Sequence, residues 1–323
     1  MKLIDLRQAA LRLQSAGAVL LLAHQHPDGD TLGSAFALAH ALQTLGRPVN
    51  FLCEDPIPAV FDFMREGLEL CEREDALVVC VDVADQFLLG KGLEERFGGR
   101  VALAVDHHAT NTLFARETLL DADSAATAEM IHELLALLDV PIDRKIAACL
   151  YAGISTDTGC FRYSNTTARS HRYAAHYLEL GVPSAELDRA FFETKTKTYA
   201  ALERMALEGM RYFCGGRVAL ITVTQEMLRR SGSNEEEYIR LVPQTRQIEG
   251  VLVGVSVRER KDGSFKLSLR SNAPVNAADI CAKMGGGGHA RAAGCASELP
   301  LEETIRVMIA HIADTLEEYE NRV

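Results

Sequence analysis

The chain has no tryptophan, no cysteine pair of the CxxC kind, and no apolar run of the ~18 residues that a membrane-spanning helix needs. Its eight cysteines, at positions 53, 71, 80, 149, 160, 214, 281 and 295, are scattered and mostly lie inside apolar segments such as ALVVCVDVAD. That excludes a thiolate zinc site and predicts reduced, buried thiols. Positive charge is also scarce: 34 Lys and Arg stand against 45 Asp and Glu, a formal net charge of -11. Duplex DNA held through a basic surface is therefore not expected, although a short anionic substrate approached through bound cations is compatible with this balance. The opening MKLIDLRQAALRLQSAG lacks the apolar core and cleavage site of a secretory signal and reads as an amphipathic helix, so the protein is expected to be cytoplasmic, with no membrane partner. GGGGH near the C-terminus is followed by no GK[ST] and follows no first strand, which excludes both the Walker loop and the dinucleotide-binding turn.

What is present suffices for a large core. Apolar residues are 48% and charged residues 24% of 323, and that length predicts two domains. In the first half, β-branched runs alternate with helical periodicity: AVLLLAH, RPVNFLC, ALVVCVDVAD and RVALAVDHH read as strands, and TLGSAFALAHALQTLG, SAATAEMIHELLALLDV and DRKIAACLYAGISTDTG as helices. Continuous rather than alternating apolar strands point to a sheet covered on both faces. The fold class is therefore α/β, with a doubly wound, mainly parallel sheet over residues 1–185, a helical connector over 186–211 and a smaller α/β domain over 212–323. In the latter, RVALITVT, VLVGVSVRER and FKLSLRS read as strands, the last two joined by a KDGS turn, and MGGGGHARAAGC as a loop before the final helix.

The first domain carries its polar side chains where strands end. His24, Asp28 and Asp30 follow the first strand; Asp82 and Asp85 lie in VDVAD; Asp106, His107 and His108 close AVDHH; Asp157 lies in GISTDTG between helices. In open parallel sheets the ligand crevice lies outside the carboxyl ends of the strands. Five carboxylates (Asp28, Asp30, Asp82, Asp106 and Asp157) converging there would repel one another unless cations neutralised them. Asp28 taken alone is accounted for as a helix N-cap, and His26 as a surface residue. Asp82 inside an apolar run is not, because a buried unpaired carboxylate is costly. Imidazole and carboxylate donors without thiolate suit Mn²⁺, Mg²⁺ or a similar ion, so the pattern asks for two divalent metals.

HQHPDGDTLGS, VDVAD, VDHHATN and GISTDTGCFRYSNTT resemble, in order, the four motifs of the DHH phosphoesterase superfamily, and SLRS with GGGGHARAAG resembles the DHHA1 domain that accompanies it. The likeness spans almost the whole chain and is greatest to the bacterial nano-RNase and pAp-phosphatase subfamily. It implies that His24 and Asp28 hold one metal, that Asp30, His107 and Asp157 hold the other, and that Asp82 bridges them. It further implies that Asp106 orients a histidine, that His108 faces the substrate phosphate or leaving group, and that Mn²⁺ is the resident ion, with Mg²⁺ or Co²⁺ as substitutes. Arg270, Gly286, Gly287, Gly288, His289 and Arg291 would contact the substrate's terminal phosphate and base, through guanidinium forks and closely approaching backbone amides.

The implied activity is two-metal hydrolysis of short oligoribonucleotides such as pApA, of 3'-phosphoadenosine 5'-phosphate, or of both. A cleft between the two domains and an acidic surface suit short single strands better than long polymers; a homodimer is left open. A RecJ-like exonuclease is disfavoured because 323 residues leave no room for a third, OB-like domain. A family II pyrophosphatase is disfavoured because its second domain would carry lysine and arginine motifs in place of GGGGH. A cyclic dinucleotide phosphodiesterase shares the metal set, whereas a sensor that binds such a dinucleotide without turnover would leave that set unused.

Overall fold

Short apolar segments become strands where both of their faces find cover. β1 (Lys2–Leu3), β2 (Val19–Leu22), β3 (Val49–Leu52), β4 (Leu77–Val81), β5 (Leu103–Asp106) and β6 (Glu117–Leu120) form a sheet of order β1-β6-β5-β4-β2-β3, parallel throughout. This computed structural model describes residues 1–234, 237–238 and 241–320. They fall into two compact units, Met1–Thr194 and Lys195–Val323. β1 and β6 were not foreseen: β1 is two residues long at the sheet edge, and β6 beside it, ETLL, carries no apolar run to read. The opening segment accordingly splits into β1 and α1 (Leu6–Ser15), which Asp5 starts with a capping box to Gln8.

One face of the first sheet packs under α1, α2 (Gly29–Thr44), α4 (Thr127–Leu137) and α5 (Arg144–Asp157). The other is covered by α3 (Lys91–Phe97) through Leu93 and Phe97. The winding is thus double but unequal. α2 and α5 touch backbone to backbone: a Cβ on Gly33 would stand 2.4 Å from the Cys149 carbonyl oxygen, and one on Gly153 would stand 2.6 Å from Ala128 Cβ and 2.9 Å from Asp30 Oδ1. Only glycine permits this approach.

The stretch 186–211 is shared between the units. α7 (Ser184–Asp188) and the turn Arg189–Glu193 stay with the first, where Asp188 accepts hydrogen bonds from Tyr151 Oη at 2.7 Å and Ser155 Oγ at 2.6 Å. α8 (Lys197–Glu208) packs Tyr199, Leu202 and Ala206 with Ile221 and Val223 in the second. There, β7 (Arg211–Phe213), β8 (Val218–Val223), β9 (Val253–Glu259), β10 (Phe265–Ser271), β11 (Gly287–His289) and β12 (Ala292–Ser297) take the order β11-β12-β10-β9-β8-β7, with only β8 and β9 parallel. The helices Ala277–Ala282 and Leu301–Glu320 contribute to its core.

The Gly-rich segment expected as a loop is a hairpin instead, because β11 pairs with β12. Its glycines are needed for that closeness: a Cβ on Gly286 would lie 2.3 Å from the Gly294 carbonyl oxygen, and Gly288 has φ 144. The expectation of buried thiols holds for Cys80, Cys149, Cys281 and Cys295 but not for exposed Cys71; the other three are partly buried, and all eight are free. No helix among the described residues is long and apolar enough to cross a membrane.

Candidate functional site

β2, β4 and β5 end side by side, so the residues that follow them meet at one end of the sheet. His24 lies just beyond β2, Asp28 caps α2 by accepting from the Asp30 and Thr31 N–H groups at 3.0 and 3.1 Å, and Asp30 is in the first turn of that helix. Asp82 follows β4 with φ 60, a left-handed backbone that aspartate tolerates better than most residues. Asp106 closes β5, with His107 and His108 after it, and Asp157 is the last residue of α5.

These side chains form three overlapping sets whose donor atoms lie within 4.8 Å of one another: His24, Asp28 and Asp82; Asp30, His107 and Asp157; and Asp82, His107 and His108. The first two coincide with the sets that the sequence motifs suggested. Asp82 takes part in two of the three. His24 Nε2 is 3.8 Å from both Asp28 Oδ1 and Asp82 Oδ2; His107 Nε2 is 3.6 Å from Asp157 Oδ2, 3.7 Å from Asp82 Oδ1 and 3.9 Å from Asp30 Oδ2.

Backbone carbonyls orient both rings. His24 Nδ1 donates to the Gln25 carbonyl at 2.8 Å and His107 Nδ1 to the Ser124 carbonyl at 3.1 Å. A neutral imidazole so pinned turns its Nε2 lone pair toward the carboxylates, as a metal ligand must.

The acids bear the strain of convergence. Burial, followed by the nearby Asp30, Asp28 and Asp106 charges, raises Asp82 well above the usual carboxylate range. Burial and Asp30 push Asp157 up to about 7. Asp30, fully buried, is raised by burial even though the N-terminus of α4 receives it: Thr127 N donates to its Oδ2 at 2.7 Å and Ala128 N to its Oδ1 at 3.0 Å. Thr127 also donates its hydroxyl to Asp82 Oδ1 at 2.8 Å. A cluster in which protons stand in for missing positive charge, beside imidazoles aimed inward, fits divalent cations.

Asp106 orients a histidine, but the partner is His108 rather than one of the metal-facing rings. Its Oδ1 accepts from His108 Nδ1 at 2.8 Å and its Oδ2 from Asn111 Nδ2 at 2.6 Å. That hydrogen bond raises the His108 pKa, while His108 and Asn111 together hold Asp106 low against the effect of burial. His26 lies outside the cluster, 2.7 Å from Asp55, and Asp85 caps the turn Gln86–Leu89. Thr127, Asn111 and Ser124 escape a reading of sequence because each resembles an ordinary cap or turn residue, and Asn165, which the sequence offers as a substrate-positioning or turn residue, supports the cluster instead. Asn165 Nδ2 donates to the Ala125 carbonyl at 2.9 Å and the Asp157 carbonyl at 3.2 Å.

In the second unit, β10 turns Phe265, Leu267 and Leu269 to the core, which leaves Lys266, Ser268 and Arg270 on the opposite side. There an open trough of about 540 Å³ is lined by Arg270, Lys266, Arg260, Gly287 and Gly288 among others. Burial and the nearby Arg246 pull the Arg270 pKa down. Arg291 Nη1 donates to the Val275 carbonyl at 2.6 Å, and Gly286 and His289 flank the trough residues on and beside β11.

Residues 18–154 match the family described as DHH family, N-terminal domain, and residues 219–318 match the DHHA1 domain. A Thermus thermophilus protein named bifunctional oligoribonuclease and PAP phosphatase NrnA is 35% identical over 286 residues, covering 86% of this chain and 83% of that protein. Among solved structures, an exopolyphosphatase-related protein from Bacteroides fragilis aligns with TM-score 0.86 at 22% identity, over 98% of this chain and 96% of its own. RecJ from Thermus thermophilus, in complex with Mn²⁺, aligns with TM-score 0.58 at 16% identity, over 96% of this chain and 54% of RecJ.

Proposed function

The chain belongs to the DHH family of phosphoesterases, with a DHHA1 domain following, and from that premise we propose that it hydrolyses short oligoribonucleotides such as pApA together with 3'-phosphoadenosine 5'-phosphate. Family membership makes it a metal-dependent enzyme. The observation that carries the reading of the site is the pair of pinned imidazoles, whose Nε2 atoms stand 3.6–3.9 Å from four carboxylates.

His24 and Asp28 would hold one divalent ion, Asp30, His107 and Asp157 the other, with Asp82 between them. Mn²⁺ is the ion we favour, since the donors mix imidazole with carboxylate. When bound, such a pair supplies a nucleophilic water at neutral pH and neutralises charge on the phosphate oxygens.

Asp106 holds the His108 ring in place and favours its protonated form, so His108 can give a proton to the leaving oxygen. Because the raised pKa keeps His108 charged to higher pH, Asp106→Asn should lower kcat on pApA and move the alkaline limb of its pH profile to lower pH. An unchanged limb in the variant would remove His108 as the acid.

In the second unit, Arg270 and Arg291 would take a terminal phosphate of the substrate, with His289 and the backbone of Gly286, Gly287 and Gly288 beside it. The test is a comparison of pApA, 3'-phosphoadenosine 5'-phosphate, cyclic di-AMP and a 20-mer RNA in the presence of Mn²⁺. Cleavage of pApA at least tenfold faster than of the 20-mer is expected. Equal rates on the two lengths would sink the short-substrate reading.

A further inference from the structure

Behind the metal-facing side chains lies a charged network that the hydrolytic chemistry does not itself use. Glu129, in the first turn of α4, is fully buried, and a buried carboxylate needs a partner. That partner is Arg169, in the first turn of α6 (Ala168–Glu179). Its Nε donates to Glu129 Oε2 at 2.9 Å, its Nη1 to Glu133 Oε1 at 3.2 Å, and its Nη2 to Ser124 Oγ at 2.7 Å and Asp121 Oδ2 at 3.4 Å. Glu129 Oε2 also accepts from the Ala125 N–H at 3.2 Å, and its Oε1 from Ser170 Oγ at 2.6 Å. Arg169 therefore fastens the segment 121–126 at Asp121, at Ser124 and, through Glu129, at Ala125.

That segment, with the start of α4 that follows it, is what aims the donors. The Ser124 carbonyl fixes His107; the Ala125 carbonyl receives Asn165, which also holds the Asp157 carbonyl; Thr127 and Ala128 receive Asp30, and Thr127 holds Asp82. None of the hydrogen bonds that Arg169 makes among the described residues ends on a metal-facing side chain.

We infer that Arg169 is a positioning residue for the metal centre: by clamping residues 121–126 it fixes the ring orientation and tautomer of His107, and so sets affinity for the divalent ion. The inference rests on the ligand assignment made above. It needs the planar guanidinium, because a lysine ammonium keeps the charge opposite Glu129 but cannot span four acceptors divided between α4 and the segment 121–126.

The experiment compares Arg169→Lys, Arg169→Met and Ser124→Ala with the parent, and adds His107→Asn as a control on the ligand assignment. Ser124→Ala removes the Arg169 contact, together with the hydrogen bond that Ser124 Oγ donates to Asp121 Oδ2 at 2.6 Å, but keeps the carbonyl that His107 uses. Mn²⁺ affinity is measured by calorimetry, metal-free stability by thermal melting, and the His107 tautomer by long-range ¹H–¹⁵N NMR of metal-free protein. Arg169→Lys and Ser124→Ala should melt within a few degrees of the parent, bind Mn²⁺ about tenfold more weakly, and lose the single Nδ1–H tautomer. Arg169→Met, which strands Glu129, measures the folding cost separately.

Unchanged Mn²⁺ affinity and tautomer in Arg169→Lys and Ser124→Ala would overturn the inference, even if either melts lower, since that pattern belongs to a purely structural residue. If His107→Asn binds Mn²⁺ as tightly as the parent, the ligand assignment itself falls, whatever Arg169 does.

Discussion

Replacing Asp82 with asparagine is expected to abolish metal-dependent hydrolysis and, in the same protein, to raise the melting temperature of the metal-free form. Asparagine is the right probe because Asp82 has φ 60, a backbone region that asparagine also enters at little cost, and because an amide oxygen can still accept from Thr127 Oγ1. What is lost is the negative charge shared by two donor sets. With metal catalysis worth several kcal/mol, and each 1.36 kcal/mol a factor of ten, kcat should drop roughly a thousandfold or more.

Stability should move the other way. Asp82 is raised by burial and by three neighbouring carboxylates, so the folded chain keeps a proton there that the unfolded chain releases above the ordinary carboxylate pKa. Ionising it at higher pH costs stability, and asparagine removes that cost. The gain should therefore appear at pH 8, at about 2–4 °C for each kcal/mol relieved, and fade near pH 3, below the ordinary carboxylate pKa, where both states are protonated. Thermal melts of chelator-treated parent and variant at the two pH values decide it. A variant less stable at pH 8 would mean that the carboxylates are not in conflict.

The second large effect is metal removal, and it depends on pH. Asp157, pushed up to about 7, holds its proton in the metal-free folded chain across a window, from the ordinary carboxylate pKa upward, in which the unfolded chain has lost it. Metal-free stability should thus fall as pH climbs through that window. A divalent ion needs the carboxylates ionised, so its binding strengthens over the same range. Mn²⁺ at a hundred times its dissociation constant adds about 2.7 kcal/mol, roughly 5–10 °C in melting temperature for a chain with units of this size. At pH 8 the full shift is expected; at pH 5.5, with the same Mn²⁺ concentration, most of it should vanish. Equal shifts at both values would exclude these carboxylates as the binding groups.

The centre was legible because its chemistry conflicts with its surroundings. An aspartate inside VVCVDVAD or at the end of VALAVD has no structural account that burial does not penalise, and strand ends in a parallel sheet are where such residues meet. The supports were not legible, for the opposite reason. Thr127 and Ser124 look like any residues before a helix, and Arg169 on an amphipathic helix looks like a solvated charge; only the fold reveals the distant partners of Thr127 and Arg169 and the ring that the Ser124 carbonyl holds. The same holds for the partner of Asp106, since two adjacent histidines offer no sequence criterion for choosing between them. Among secondary elements, apolar strands were readable, whereas β1 and the Gly287–His289 hairpin arise from pairing at sheet edges and β6 from pairing between β1 and β5. Four glycines in a row read as a loop whose backbone approaches a ligand, whereas Gly286 and Gly288 serve close packing within the hairpin.

The glycine contact between α2 and α5 also sets a floor on how closely the two helices can be drawn together. Asp30 rides on one helix and Asp157 on the other, and with Gly33 against the Cys149 carbonyl neither backbone can shift toward its neighbour. An ion with short bonds, such as Mg²⁺ at about 2.0–2.1 Å, cannot draw the two helices closer than this contact; Ca²⁺, which takes six to eight oxygens at about 2.3–2.6 Å, asks for more donors than the proposed set offers. Titrating Ca²⁺ against bound Mn²⁺ should therefore displace little at equal concentration, and displacement at parity would show that the number of donors does not limit the site. Two side chains reduced to a hydrogen atom thus fix the least distance between the helices that carry two of the proposed ligands, before any ion arrives.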